Sequence, residues 1–262
     1  MKKWILIVIT VITLTAAVGA MVVLFDVSFI RKGARGPEKA PPVLERYRME
    51  LVKWFSFTEE NSLKEWEEKI LKGKVIYRQE QDDSLGVVRA TSYKTASALY
   101  YKIKLDVKTK NPIIKWKWSV ETFPEREEPE SLEEKHADDF AARIYVIFPA
   151  KFFTHTKVIE YIWAESLPVG ETGISPYSKN IRLMVLKSGK LEEGKLYAEE
   201  RNIVKDFVRL FGEQPRRDIG AIAFMTDADT TGTVADALYA DIKLGYEDGE
   251  TPAEGGTNDG TD

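Results

Sequence analysis

Asp227, Asp229 and Thr231, followed by Gly232, set oxygen-bearing side chains at alternate positions ahead of a residue that permits a sharp bend. This is the pattern of the first half of a calcium loop. The second half departs from it, because the twelfth position is Leu238, where a bidentate glutamate is needed. A structural calcium held by Asp227 and Asp229 therefore requires Asp241 or Glu59 from elsewhere in the fold. The competing expectation is a polar turn whose aspartates cap exposed backbone N–H groups.

A second constellation follows from alternation. In AARIYVIF, the apolar Ala142, Ile144, Val146 and Phe148 take one face, so Arg143 and Tyr145 take the other. By the same reading Glu160 points opposite Tyr161 and Trp163, and Arg182 opposite Ile181, Leu183 and Val185. If these strands share a sheet, Arg143, Tyr145, Glu160 and Arg182 line its open face. Guanidinium donors, a carboxylate and an aromatic ring suit a polar ligand such as a glycan or an anionic group. The alternative is an ion-pair ladder on a solvated sheet, each exposed pair contributing about 0–1 kcal/mol.

Acid–base chemistry has candidates in Asp138, Asp139, Glu160, Asp227 and Asp229. Glycosidic cleavage needs two carboxyl groups at a defined separation, which spacing in sequence leaves open. Other chemistries find less support. There is no cysteine for a thiol nucleophile or a thiolate metal site, and no Gly-x-Ser-x-Gly elbow. The two histidines, His136 and His155, have no metal-ligand spacing and read as surface residues. Trp116, Trp118 and Trp163 are either a stacking platform for sugar rings or core. A net charge of −4, from 38 basic and 42 acidic residues with no basic block, argues against a nucleic-acid partner.

The elements that must position these residues are mainly strands. Extended segments are expected over 49–57, 74–80, 85–91, 98–105, 113–120, 141–148, 158–164, 181–187 and 195–203, and on either side of the Asp227 loop. A short helix over Val43–Leu51 competes with the first of these. Residues 121–139 form a long acidic loop, either functional or disordered. Val204, Phe207, Val208 and Phe211 recur at helical spacing before Gly212, a C-cap candidate.

The N-terminus is of another kind. Lys2 and Lys3 precede an uncharged run from Trp4 to Phe25, long enough to span roughly 33 Å as a helix. It reads as a membrane anchor in residues 1–25, or as a signal segment with small residues suited to cleavage after Ala20. Residues 26–48 form a Gly- and Pro-containing linker, residues 49–246 one β-sandwich domain, and residues 247–262 an acidic disordered tail.

Four motifs, DDFAARIYVIF at 138–148, EYIWAESLPVG at 160–170, ERNIVKDFVRLFGEQP at 200–215 and IAFMTDADTTGTVADALYADI at 222–242, together resemble a bacterial envelope family known as domain of unknown function 3047. The resemblance covers most of the chain after the linker and implies no established activity. Ala228, Thr230 and Ala240 depart from that family's usual last motif. Phe57, Glu59, Trp66 and Asp241 also resemble the outline of carbohydrate-binding jelly rolls, in which an early carboxylate and a final aspartate share a structural calcium. Thr58 interrupts the usual Phe-Glu pair.

The sequence thus predicts an all-β, antiparallel, jelly-roll-like β-sandwich with one short helix, preceded by a membrane helix. It is expected on the outer side of a bacterial inner membrane, in the periplasm or outside, as a non-catalytic module for a polar or carbohydrate-like envelope ligand. A glycan-cleaving enzyme using Glu160 or the Asp138/Asp139 pair, and a scaffold acting through protein contacts, are the alternatives.

Overall fold

The computed structural model describes residues 48–82 and 85–248. The expected membrane segment, nearly all of the linker and most of the acidic tail lie outside these residues. Among the described residues no helix is long and apolar enough to cross a membrane.

Two sheets face each other. One runs in the order β11 (Tyr197–Asn202), β6 (Pro112–Thr122), β13 (Val234–Glu247), β4 (Leu85–Tyr93), β3 (Ile76–Asp82), with β1 (Met49–Phe55) along the second half of β13. The other runs β2 (Glu67–Lys72), β5 (Ala96–Leu105), β12 (Ile219–Asp227), β7 (Ala142–Phe148), β8 (Lys157–Ala164), β10 (Ile181–Ser188), β9 (Thr172–Ile174). Among the described residues, eight pairs of strands consecutive in the chain cross from one sheet to the other, among them β4–β5, β6–β7 and β12–β13. The central orders therefore match, β6-β13-β4 over β7-β12-β5. This is the wrapped arrangement of a jelly roll. All pairings are antiparallel except β8 with β10.

The space between the sheets is filled largely by rings. Trp116, Trp118, Tyr161 and Trp163 are buried there in a chain of contacts with centroids 5.4–5.6 Å apart. Phe57, Trp66, Phe224 and Tyr239 form a second group. The three tryptophans are thus core, and a sugar-stacking platform built from them is excluded by their burial. A helix, α1 (Ile203–Phe211), closes one end with Phe207 against Phe148. The Asn202 side chain accepts from the Lys205 N–H at its start, and Gly212 ends it at φ 70°.

The outer face of the seven-stranded sheet is also covered. Ile147, Val158, Ile162, Ile181, Leu183, Val185, Ala221 and Ala223 form a second apolar layer, capped by Leu132 and Phe140. Those two residues come from the acidic stretch 121–139 and its continuation, which is pinned to the body rather than loose. Buried Glu130 accepts N–H bonds from Glu165 at 2.9 Å, Ser166 at 2.8 Å and Leu167 at 3.4 Å, and lies 3.5 Å from the Arg126 guanidinium. Sequence alternation had suggested a solvated open face on this side. The structure replaces it with a roofed layer, because this long loop folds back across the strands.

Candidate functional site

Register brings three strands, β7, β8 and β12, together on that outer face. In β7, Tyr145 lies opposite Glu160 of β8, and Arg143 lies opposite Met225 of β12. Residues two apart share a face, so Arg143 has Glu160 and Asp227 as diagonal neighbours on either side. The guanidinium joins them. Its Nε and Nη2 donate to the two Asp227 oxygens at 3.0 and 2.8 Å, and Nη1 donates to Glu160 Oε1 at 2.6 Å. Nη2 also donates to the Asp138 carbonyl, while Nη1 sits 3.6 Å from the Asp138 carboxylate. The Phe140 ring lies 4.9 Å from the guanidinium carbon.

The loops add to this centre. Asp139 accepts the N–H groups of Thr230 at 3.2 Å and Thr231 at 2.6 Å, tying the long loop to the turn after β12. Lys72 of β2 donates to the Asp229 carbonyl at 2.7 Å and lies 3.5 Å from its carboxylate. Between these groups lies a cleft of about 220 Å³. Asp138, Arg143, Glu160 and Asp227 line its charged part, and Leu71, Ala96 and Met225 its apolar part. Tyr145, Ser175, Tyr177, Lys72, Asp229 and Thr230 complete it.

Burial governs the electrostatics. Arg143, Glu160 and Asp138 are 2, 3 and 8 % exposed. Burial pushes the Asp138 carboxyl up to about 7, with Arg143 opposing and Glu160 and Asp139 reinforcing the rise. Asp227 is raised for the same reason, against the pull of Arg143, and Asp229 is raised by burial and by Asp139. The Tyr145 and Tyr177 phenols are also raised by burial, so both rings keep their hydroxyl protons at neutral pH.

Of the four residues expected to line an open face, Arg143, Tyr145 and Glu160 meet and Arg182 does not. Strand β10 lies parallel to β8 with Leu183 opposite Glu160 and Arg182 opposite Ile159. Arg182 therefore points to the inner side, where it donates to the Leu210 and Lys179 carbonyls and lies over the Phe211 ring. Arg143 and Glu160 do share a face, as expected, but as a buried network rather than as exposed side chains.

The expected calcium set also divides. Oxygens of Asp139, Asp227 and Asp229 lie within 4.8 Å of one another. Asp241 instead stands in the six-stranded sheet at a bulge, with φ 52°. It accepts from Trp54 Nε1 and from Lys243, both at 2.8 Å. Glu59 is exposed in the segment between β1 and β2, where its backbone carbonyl accepts from Gln79 of β3. A calcium ion takes six to eight oxygens. Here the Asp139 oxygens already accept backbone N–H groups and the Asp227 oxygens already hold Arg143. Asp241 and Glu59 bring no oxygen to them, so the expected set of Asp227, Asp229, Asp241 and Glu59 does not come together at one point.

His136 and His155 are both exposed, as expected; His136 lies 2.6 Å from Glu128. Sequence reasoning missed Leu71, Lys72, Ala96, Ser175, Tyr177 and Met225. Strand β2 is charged and shows little apolar alternation, and Tyr177 stands in a loop; neither carries a periodic signal.

A model of the family described as protein of unknown function DUF3047 matches residues 64–243. The chain belongs to this family. No curated protein matches the chain in sequence. Among solved structures, this DUF3047 chain is similar to a family 11 carbohydrate-binding module of a cellulosomal cellulase from Clostridium thermocellum. That match has 10% identity, covers 79% of this chain and 100% of that one, and has a TM-score of 0.39. It is also similar to the xyloglucanase domain of NopAA, an effector from Sinorhizobium fredii, at 7% identity over 70% of this chain and 93% of that one, TM-score 0.38. The cellulose induced protein Cip1 matches at 9% identity over 74% of this chain and 96% of that one, TM-score 0.43.

Proposed function

We propose that this domain binds a polar, carbohydrate-like ligand in the cleft between Tyr145, Tyr177 and the Arg143 network. In this reading the N-terminal apolar segment holds the domain on the outer side of a bacterial inner membrane. One observation carries the ligand reading: a buried, fully engaged guanidinium fixes carboxylates at the base of an accessible cleft that also contains tyrosine rings and an apolar strip. Carboxylate oxygens accept hydroxyl pairs, and rings and apolar carbons take the C–H faces of a sugar. The volume suits one ring of a longer chain rather than a drug-sized molecule. The test is a thermal-shift and calorimetric screen of envelope and plant oligosaccharides. Tyr177→Ala is expected to weaken any ligand found by at least about tenfold, the equivalent of about 1.4 kcal/mol, with the melting temperature nearly unchanged. Binding that survives Tyr177→Ala refutes this placement.

A second reading has its own support. Asp138 holds its proton up to about 7 and shares the Arg143 guanidinium with Glu160, an arrangement that suits acid–base cleavage of a glycosidic bond. Polysaccharide turnover abolished by Glu160→Gln, with the fold retained, would establish it.

A further inference from the structure

We propose that the cleft selects a glycan unit carrying a protonated amine, an amino sugar with its nitrogen free, over neutral and anionic sugars. This deepens the reading of the cleft as a carbohydrate site and rests on it. The first observation is the balance of charge around one cavity. Asp138, Glu160, Asp227 and Asp229 line it, and Asp139 has an oxygen within 4.8 Å of those of Asp227 and Asp229. Two cations answer these five carboxyl groups, and both are committed. Arg143 is bound to Asp227, Glu160 and the Asp138 carbonyl, and Lys72 to Asp229.

The second observation is the kind of surface that accompanies the acids. Tyr145 and Tyr177 contribute aromatic rings whose hydroxyls stay protonated, so neither adds negative charge. Lys135 Nζ already lies 5.6 Å from the Tyr177 ring centroid, which shows that this ring takes a cation. Leu71, Ala96 and Met225 lower the local dielectric beside the carboxyl groups, which strengthens the attraction of those that are ionised for an ammonium group, and an ammonium group placed there favours their ionised form. A uronic acid entering the same space would set its carboxylate against Asp138 and Glu160 with no uncommitted lining cation to meet it. The sugar ring meets the rings and apolar strip, and the ammonium group meets the carboxyl end.

The experiment is calorimetry of the full chain in detergent at pH 7.5 and low salt. Four tetrasaccharides are compared: β-1,4-glucosamine, its fully N-acetylated form, cellotetraose and tetragalacturonate. The glucosamine tetramer is expected to bind at least tenfold tighter than the N-acetylated and neutral ones, the uronate not at all, and the preference to shrink with added salt. Asp138→Asn should remove most of the preference, whereas Glu193→Gln, at an exposed acid on the opposite sheet's edge loop, should leave it intact. Equal or tighter binding of a neutral or anionic tetramer overturns the amine selectivity while the carbohydrate site stands. A glucosamine preference reduced equally by both variants also overturns it, as general attraction to an acidic protein. Failure of every tetramer to bind removes the carbohydrate site itself.

Discussion

Asp138→Asn is expected to stabilise the protein, in a way that depends on pH. In the unfolded chain Asp138 releases its proton near 3.8, and in the folded protein at about 7. Between these values the folded chain holds a proton that the unfolded chain has lost. Stability from this group therefore falls as pH rises through that window, and levels off above about 7. Three units at 1.36 kcal/mol each place the full penalty at about 4 kcal/mol, an upper value because neighbouring acids share the proton. An asparagine carries no charge to bury, and the Arg143 bond to the backbone carbonyl at 138 is retained. At pH 8 the variant is expected to gain about 2–4 kcal/mol, or roughly 5–10 °C in melting temperature for a domain of this size. At pH 4.5 the gain shrinks to about 1 kcal/mol or less. Calorimetric or circular-dichroism melts at the two pH values decide it. A variant less stable than the parent at pH 8 refutes the argument, since it would mean that the Arg143–Asp138 ion pair outweighs the cost of burying the acid.

Other substitutions test the surrounding network. Arg143→Met leaves Asp227 and Glu160 buried without their cation and is expected to cost about 3–5 kcal/mol in urea unfolding, mostly a stability effect rather than a binding one. Glu130→Ala removes the acceptor of three backbone N–H groups. It should cost about 2–4 kcal/mol and speed amide exchange at residues 165–167. Arg182→Ala should leave ligand affinity unchanged in calorimetry and cost about 1 kcal/mol, since its partners are two carbonyls and one ring far from the cleft lining.

Alternation was enough to put Arg143, Tyr145 and Glu160 on one face, because β7 and β8 each carry a clear core side in Ile144, Val146, Tyr161 and Trp163. It failed at Arg182 because β10 is apolar on both sides, with Met184 and Leu186 inward and Leu183 and Val185 outward. Only its parallel pairing with β8 decides between them. Exposure was misjudged for a related reason: periodicity tells which residues share a face, and says nothing of a loop that returns to cover it. Asp241 was grouped with Asp227 through the outline of carbohydrate-binding jelly rolls, in which a final aspartate shares a structural calcium. Yet at about 3.3 Å per residue, seven residues of β13 carry Asp241 about 23 Å along the strand from Val234. Lys72 and Tyr177 gave no warning, one on a charged strand and the other in a loop, where neighbours are set by tertiary contact alone.

The fastening of residues 121–139 through Glu130, and of Asp139 to the turn after β12, bears on kinetics. With both flanking segments already anchored, an arriving molecule has no chain to condense around itself, and little ordering entropy is lost on capture. Association should then be a single step, with an observed rate that climbs linearly with ligand concentration in stopped-flow fluorescence. A rate that levels off would reveal a gate whose hinge lies in one of those two fastenings.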